Sequence, residues 1–304
     1  MSLSKKQLQL MLMRYLKSKG YQNIKSTNMY IIAEGELPVC LCAHMDTVFP
    51  KPPATFYFDR EQSVLWSPDG LGADDRTGVY IIINLIEKGY KPSVIFTDLE
   101  ERGGIGADAL IKHFQECPFS DCRALIQLDR RGSNDAVYYE CDNKDFEKLI
   151  TSYGFVTEWG TFTDISVFGP QWGIAAVNLS VGYYNEHQNI ETLNMAECHQ
   201  TIDRVEKMLQ DCGNWLSYAY IPVVYNNLNF VYGSVTDCDD IEPWWVQNSC
   251  FCCGKSLKMD EGRVIGGATG RPEEDFLVCD ECYHKYIDDT YIKERAEVEF
   301  PQDG

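Results

Sequence analysis

Two segments of the sequence, residues 37–43 and 174–181, are apolar along nearly their whole length. A strand with this pattern is covered on both faces, because a strand with one face in solvent would alternate apolar and polar residues. Further strands are expected at 63–66, 94–97, 124–128 and 136–140, and they alternate with segments of helical periodicity. This alternation predicts an α/β fold, a three-layer, mostly parallel sheet with helices on both faces.

The helical segments are expected at residues 4–19, 79–88, 107–114, 146–153 and around 202–212. The first is amphipathic and ends at Gly20, whereas the second is apolar nearly all round and should be buried. Residues 28–33 and 37–43 are expected as two strands joined by a tight connection at Glu34-Gly35-Glu36. Between the strands at 124–128 and 174–181 the sequence predicts one strand, one helix and the segment 160–164.

Composition changes after about Tyr220, where an acidic, helix-poor stretch leads to a cluster of cysteines. We expect a catalytic domain at 1–220, an acidic linker at 221–248, and a zinc-ribbon module with a tail at 249–304. The net charge of −19 argues against a nucleic-acid or anionic membrane partner. No apolar run approaches the ~20 residues of a membrane span, and the N-terminus lacks a signal peptide. These features predict a cytoplasmic protein, in which the scattered cysteines are reduced and buried.

Candidate metal ligands stand at the ends of the predicted strands. Four strands lead into His44, the Glu100-Glu101 pair, Asp129 and His187, and Asp74 lies just ahead of the buried helix. In an open parallel sheet, ligands bind outside the carboxyl ends of the strands, so these positions should converge. Two histidines and three carboxylates are what a pair of zinc-like ions needs, with one carboxylate bridging. Each residue alone has an ordinary alternative, as a helix cap or a charge on a solvated loop, but their joint occurrence favours a metal centre.

These residues resemble, in their order along the chain, the ligand series of the zinc-dependent exopeptidases. That group includes peptidase T, the carboxypeptidase G type and the leucyl-type aminopeptidases, and the resemblance covers roughly residues 5–215. The motifs that carry it are His44-x-Asp46, Gly72-Ala-Asp74-Asp75-Arg-Thr-Gly78, Glu100-Glu101, Asp129 and His187.

The resemblance implies a role for each position. Asp74 would bridge two metals, with His44 and Asp129 completing one ion and Glu101 and His187 completing the other. Glu100 would be the general base that takes a proton from the attacking water, and Asp46 would hold the His44 imidazole in one tautomer. Asp164 resembles a further aspartate near the site, although a turn or helix cap explains it equally well.

The resemblance also implies the activity, which is metal-dependent hydrolysis of amide bonds in short peptides. An aminopeptidase is the leading expectation, and an N-acyl amino acid deacylase or a carboxypeptidase is the alternative among enzymes. The expected cofactors are two zinc ions, or cobalt or manganese, and the substrate is a short peptide or an acyl amino acid. Many members insert a lid domain between the positions of Asp129 and His187, and too few residues lie there for one in this chain.

The cysteine cluster contains two Cys-x-x-Cys pairs, which supply Cys250, Cys253, Cys279 and Cys282. Four thiolates with this spacing predict one structural zinc ion in a closed tetrahedral site, although a shifted register would use Cys252 instead. Acidic residues outnumber basic ones here, which argues against nucleic acid. A protein partner or self-association through this ribbon is possible, and a non-catalytic scaffold that docks a partner is the second hypothesis for the whole chain.

Overall fold

The structure is a computed structural model that describes residues 1–223, 263–265 and 276–278. The chain divides into two units, Met1–Tyr225 and Asn226–Gly304. In the second unit, Arg263–Ile265 and Phe276–Val278 pair as antiparallel strands. The predicted ribbon ligands Cys250, Cys253, Cys279 and Cys282 and most of the predicted linker at 221–248 lie outside the described residues.

An eight-stranded sheet forms the centre of the first unit. In chain order, the strands of this unit are β1 (Gln22–Ser26), β2 (Tyr30–Glu34), β3 (Leu37–His44), β4 (Tyr57–Asp59), β5 (Val64–Trp66), β6 (Pro92–Thr97), β7 (Leu125–Arg130), β8 (Asp135–Val137), β9 (Val156–Glu158), β10 (Ala176–Ser180), β11 (Tyr183–Tyr184) and β12 (Thr192–Asn194). The large sheet has the order β1-β2-β6-β3-β7-β10-β8-β9, and β11-β12-β5-β4 form a small antiparallel sheet. The central strands of the large sheet, β6, β3, β7 and β10, are parallel to one another.

Helices cover both faces of the large sheet. In chain order, the described α-helices are α1 (Lys5–Ser18), α2 (Ala73–Glu87), α3 (Ile105–His113), α4 (Lys144–Ser152), α5 (Ile165–Trp172) and α6 (Met195–Asp211). Residues of α1, α2, α4 and α6 share one core cluster with Leu41 and Ala43 of β3. Residues of α3 and α5 share the other with Cys40 and Cys42 of the same strand. Successive side chains of β3 therefore pack against the helices on opposite faces of the sheet, which confirms the predicted three-layer α/β fold.

Helix α1 shows how closely local sequence can determine an element. Ser4 accepts a hydrogen bond from the Gln7 amide, and the Gln7 side chain accepts one from the Ser4 amide. This reciprocal arrangement is a capping box, which satisfies two amides that a helix start leaves free. Leu8, Leu12 and Leu16 form the buried face that packs against the sheet.

The strand boundaries differ from the predictions at several places. The strands β2 and β3, joined by the predicted tight connection, are not hydrogen-bonded to each other because β6 lies between them. Strand β7 continues to Arg130, so Asp129 lies inside the strand rather than after it. Strand β8 runs antiparallel to β10. Three short, exposed strands, β1, β4 and β9, were not predicted, since their residues show no clear apolar pattern.

Two helices also differ. Helix α5 was not predicted, because Gly169 and Pro170 interrupt its periodicity. Helix α2 starts at Ala73, ahead of its predicted start, although Asp74 and Asp75 have non-helical backbone angles. Among the residues that the structure describes, no helix has the length and apolar character needed to cross a membrane.

Candidate metal centre

The carboxyl ends of the central strands bring two of the predicted ligands together. Cys42 of β3 pairs with Gln127 of β7 in parallel register. His44 and Asp129 each lie two residues further along these neighbouring strands, so their side chains project on the same side. Strand β3 ends at His44, and the register of the sheet alone explains why the two residues meet.

Asp74 lies between the two histidines. Its Oδ1 is 3.1 Å from His44 Nε2, and its Oδ2 is 3.2 Å from His187 Nε2. His44 Nε2 is also 3.5 Å from Asp129 Oδ1, and His187 Nε2 is 2.9 Å from Glu101 Oε2. Two groups of donor atoms therefore meet at one shared carboxylate, each group containing one imidazole and one further carboxylate.

The two glutamates after β6 differ in their surroundings. They lie in a single 3-10 turn, Glu100–Arg102. Leu99 precedes this turn and has a left-handed backbone conformation with φ of 61°. Glu101 points at His187, whereas Glu100 Oε2 lies 4.0 Å from His44 Nε2. Burial raises the pKa of Glu100 to about 8, and the negative charges of Asp129 and Asp74 act in the same direction while His44 opposes them.

Asp46 connects this turn to the end of β3. Its Oδ1 lies 3.2 Å from His44 Nδ1, and its two oxygens accept hydrogen bonds from the backbone amides of Glu100 and Glu101. Burial alone would raise the pKa of Asp46, but the contacts with His44 and the Glu100 amide outweigh burial and lower it. One carboxylate therefore lies against both the imidazole and the backbone of the glutamate turn.

The structure distinguishes Asp74 from its neighbour Asp75, to which a cis peptide bond joins it. Asp75 is fully buried, and its oxygens accept hydrogen bonds from the backbone amides of His44 and Gly78, at 3.0 and 2.8 Å. Asp75 also lies close enough to His44 and Asp129 to form a donor cluster with them. Both oxygens of Asp75 already accept backbone hydrogen bonds, so Asp74 is the better candidate for a metal ligand.

Several residues that hold Asp129 were not identified from the sequence. The Thr163 hydroxyl and the Gln127 amide donate to Asp129 Oδ2, and the Tyr183 hydroxyl donates to Oδ1. The Asn178 side chain of β10 bonds both the amide and the carbonyl of Asp129. Gln127 and Asn178 are polar residues inside buried strands, and that pattern was the one sequence signal that could have revealed them.

Asp164 was expected either as an aspartate near the site or as a turn or helix cap, and it does not cap a helix. Its side chain makes no capping hydrogen bond to α5 and instead accepts a hydrogen bond from the Thr97 hydroxyl. Burial raises its pKa to about 7, and the charge of Glu100 adds to this effect. Asp164 is therefore a buried carboxylate close to the Glu100 turn.

The donor set fits divalent cations. Glu101 Oε1 is buried without a hydrogen-bond partner, and burial raises the pKa of Asp129 to about 7. A buried carboxylate oxygen without a partner is costly, and a bound cation would supply that partner. Imidazole nitrogens and carboxylate oxygens are ligands that zinc and similar ions take. In each of two groups of three residues, the three donor atoms lie within 4.8 Å of one another. One group is His44, Asp75 and Asp129, and the other is His44, Asp74 and Glu101.

A sequence model described as peptidase family M28 matches residues 28–208. This segment includes every residue of the donor set. No curated protein sequence matches the chain.

Two solved structures resemble the chain in fold. One is the aminopeptidase PepT from Bacillus cereus, with a TM-score of 0.54 and 14% identity over 67% of this chain and 92% of that one. The other is a tripeptidase from Staphylococcus aureus, with a TM-score of 0.57 and 13% identity over 69% of this chain and 93% of that one. At these identities the likeness concerns the fold.

Proposed function

The chain belongs to peptidase family M28, and from this premise we propose that it hydrolyses amide bonds in short peptides as an exopeptidase, most simply as an aminopeptidase. Family membership supports metal-dependent peptide hydrolysis in general. The end of the peptide that is cleaved and the identity of the side chains that are accepted belong to the proposal. The two structures of similar fold are named as an aminopeptidase and a tripeptidase, which agrees with this choice.

One observation carries the proposal, which is the position of Asp74 between His44 and His187. We assign His44, Asp74 and Asp129 to one ion, and Asp74, Glu101 and His187 to a second, with zinc, cobalt or manganese as candidates. When bound, such ions supply a Lewis acid that polarises the scissile carbonyl and makes a water more acidic.

Glu100 is the proposed general base. It lies beside the donor set without belonging to the closest pairs. A carboxylate in this position can accept a proton from the attacking water and pass it to the leaving amine. Asp46 assists by fixing the His44 ring and the turn that carries Glu100.

The segment between Asp129 and His187 supports an open substrate site. It is filled by β8, α4, β9, α5, β10 and β11, so no inserted domain covers the ligands from this part of the chain. Phe162, which is 43% exposed, packs on Gly104 close to the glutamate turn. This side chain offers apolar surface for an N-terminal residue of the substrate.

The C-terminal part of the chain has a separate proposed role. We retain a structural zinc ion on Cys250, Cys253, Cys279 and Cys282, in a module of residues 249–304 that follows an acidic linker. The module would bind a protein partner or a second copy, and a cytoplasmic location suits its thiolates. An inactive scaffold is the competing function for the whole chain, and the expected zinc ribbon and the missing lid domain are what favour it.

A substrate panel tests the proposal. The purified full-length chain is incubated with dipeptides, tripeptides, their N-acetylated forms and N-acyl amino acids, before and after chelation. We expect hydrolysis of peptides with a free N-terminus, loss of activity on chelation and recovery with zinc, cobalt or manganese. Preferential cleavage of N-acylated substrates would indicate a deacylase or carboxypeptidase instead, and no hydrolysis with any metal would indicate the scaffold.

A further inference from the structure

Glu191 is a buried carboxylate that the sequence did not identify as part of the site. It has no exposed surface, and it lies in the loop between β11 and β12. Its Oε2 accepts a hydrogen bond from the backbone amide of Gly72 at 2.6 Å, and its Oε1 accepts one from the amide of Asp74 at 3.1 Å. A carboxylate that accepts amide hydrogen bonds in a buried place makes charge-assisted contacts, which are stronger than neutral ones.

The loop that carries Glu191 also carries His187. The Glu191 amide donates to the Gln188 carbonyl at 2.9 Å and closes a turn between the two residues. The side chain of Glu191 thus connects the backbone beside His187 to the backbone of Asp74. These are two of the three side chains assigned to the second ion, and they lie far apart in the sequence.

His187 needs such a connection more than the other histidine does. His44 ends a central strand and its side chain is 1% exposed, whereas the His187 side chain is 53% exposed. His187 also has a positive φ of 64° in a loop beyond the two-residue strand β11. The register of the large sheet fixes His44 and Asp129 but has no direct hold on His187.

We propose that Glu191 is a positioning residue that sets the distance between Asp74 and His187, and thereby the affinity for the second metal ion. The inference rests on the proposed metal centre. A group behind a metal ligand typically changes metal affinity by about 10–100-fold when it is removed. Glu191 holds the loop of His187, which is assigned to the second ion alone, so we expect an effect of this size on the second ion. The effect on the first ion should be smaller, because that ion shares only Asp74 with this contact.

The alternative role for Glu191 is purely structural. Gly72 precedes α2 and provides no side chain to cap it. In this alternative, the sole role of Glu191 is to accept hydrogen bonds from the free amides at the start of the helix. That role would change thermal stability without changing metal affinity. The test must therefore measure metal binding itself.

The test is Glu191→Gln in the full-length chain. Glutamine keeps the size of the side chain, but it has one acceptor oxygen for two amide donors. Metal content is measured after dialysis against buffered zinc, and binding of added zinc is followed by calorimetry. We expect the variant to retain one ion fewer than the wild type and to bind that ion about 10–100-fold more weakly. Excess zinc should restore turnover at an unchanged KM.

Glu197→Gln is the matched control, since Glu197 of α6 accepts a hydrogen bond from the Tyr184 hydroxyl of β11 and is not one of the donor residues of the site. If Glu191→Gln does not fold, Glu191→Asp replaces it, because the shorter side chain cannot reach both amides. Equal metal content and affinity in wild type and folded variant would overturn the inference. A wild type that binds no ion at His44 and His187 would instead overturn the proposed function.

Discussion

Asp74 and Asp75 are neighbours in sequence with opposite surroundings. The hydrogen bonds from His187 and His44 lower the pKa of Asp74, although its burial opposes them. Burial, followed by the charge of Asp129, raises the pKa of Asp75 well above its usual value. Asp74 is therefore held as an anion that faces the two imidazoles, whereas Asp75 fastens the end of β3 to the start of α2.

This difference gives a matched pair of variants. Asp74→Asn should lose both ions, because it removes a ligand from each, and the affinity should fall by more than the ~10–100-fold expected for a residue behind a ligand. Asp75→Asn should keep the metals and lose about 1–3 kcal/mol of unfolding free energy, because one buried amide loses its acceptor. Metal analysis and chemical denaturation of both variants check this. The reverse pattern would make Asp75 the ligand, as the alternative donor cluster with His44 and Asp129 would require.

The candidate ligands could be identified from the sequence because each lies near the end of a predicted strand or the start of a predicted helix. Thr163, Tyr183 and Glu191 could not be identified in this way. Their contacts join segments that are distant in the chain, and nothing in the local sequence distinguishes them from ordinary polar residues. Gln127 and Asn178 were the exceptions that could have been found, since a polar residue in a buried strand needs a partner.

At the scale of elements, the close approach of α2 to β7 is the contact that supports the site. A Cβ atom on Gly78 would lie 2.0 Å from the Leu128 carbonyl oxygen and 2.5 Å from Asp75 Oδ1. Only glycine lets the helix lie this near to the strand that carries Asp129. The apolar character of α2 predicted that the helix is buried, but the distance of approach follows from the tertiary structure.

Gly78→Ala tests this contact. The added methyl group would clash with the Leu128 carbonyl oxygen and the Asp75 carboxylate. We therefore expect the unfolding free energy to fall by about 1–3 kcal/mol, the ordinary cost of overpacking. Gly213→Ala is the control, because nothing lies within 4 Å of its Cβ position and its φ is not in the left-handed range. Equal stability of the two variants in denaturant titrations would show that α2 can move away without cost.

The order of strands could not be read from the sequence, whereas their parallel character could. Alternating strands and helices predicted the central parallel strands, since a helix between two strands returns the chain to the same edge. The insertion of β6 between β2 and β3 depends on contacts over a long stretch of chain. Helix α5 stayed hidden because Pro170 is compatible with few helical positions and weakens the pattern.

At the scale of the whole molecule, the donor set and the eight-stranded sheet belong to the first unit, Met1–Tyr225. Its last described residues are tied to the segment after β8, through the Val223 amide on the Glu140 carbonyl and the Asp142 amide on the Ile221 carbonyl. All elements that carry the proposed ligands therefore lie within residues 1–223. The metal centre should be independent of the cysteine cluster.

Deletion of residues 241–304 tests this independence. We expect the shortened chain to keep its catalytic ions and its hydrolytic activity, to lose one structural zinc ion, and to change in partner binding or oligomeric state. Metal analysis and light scattering of the two forms measure these effects. The substitution Cys279→Ser in the full chain is the matched control for loss of the ribbon zinc alone. Loss of the catalytic ions on deletion would contradict the division of the chain into separate functions.

The most direct test of the account is the variant Glu100→Gln. Because Glu100 is assigned to proton transfer and not to either ion, the variant should bind the same number of ions with the same affinity. Its kcat on a dipeptide should fall by on the order of 100–10,000-fold, the range that general base catalysis contributes. Unchanged kcat, or loss of the ions together with activity, would contradict the separation between Glu100, which moves the proton, and Glu101, which holds the metal.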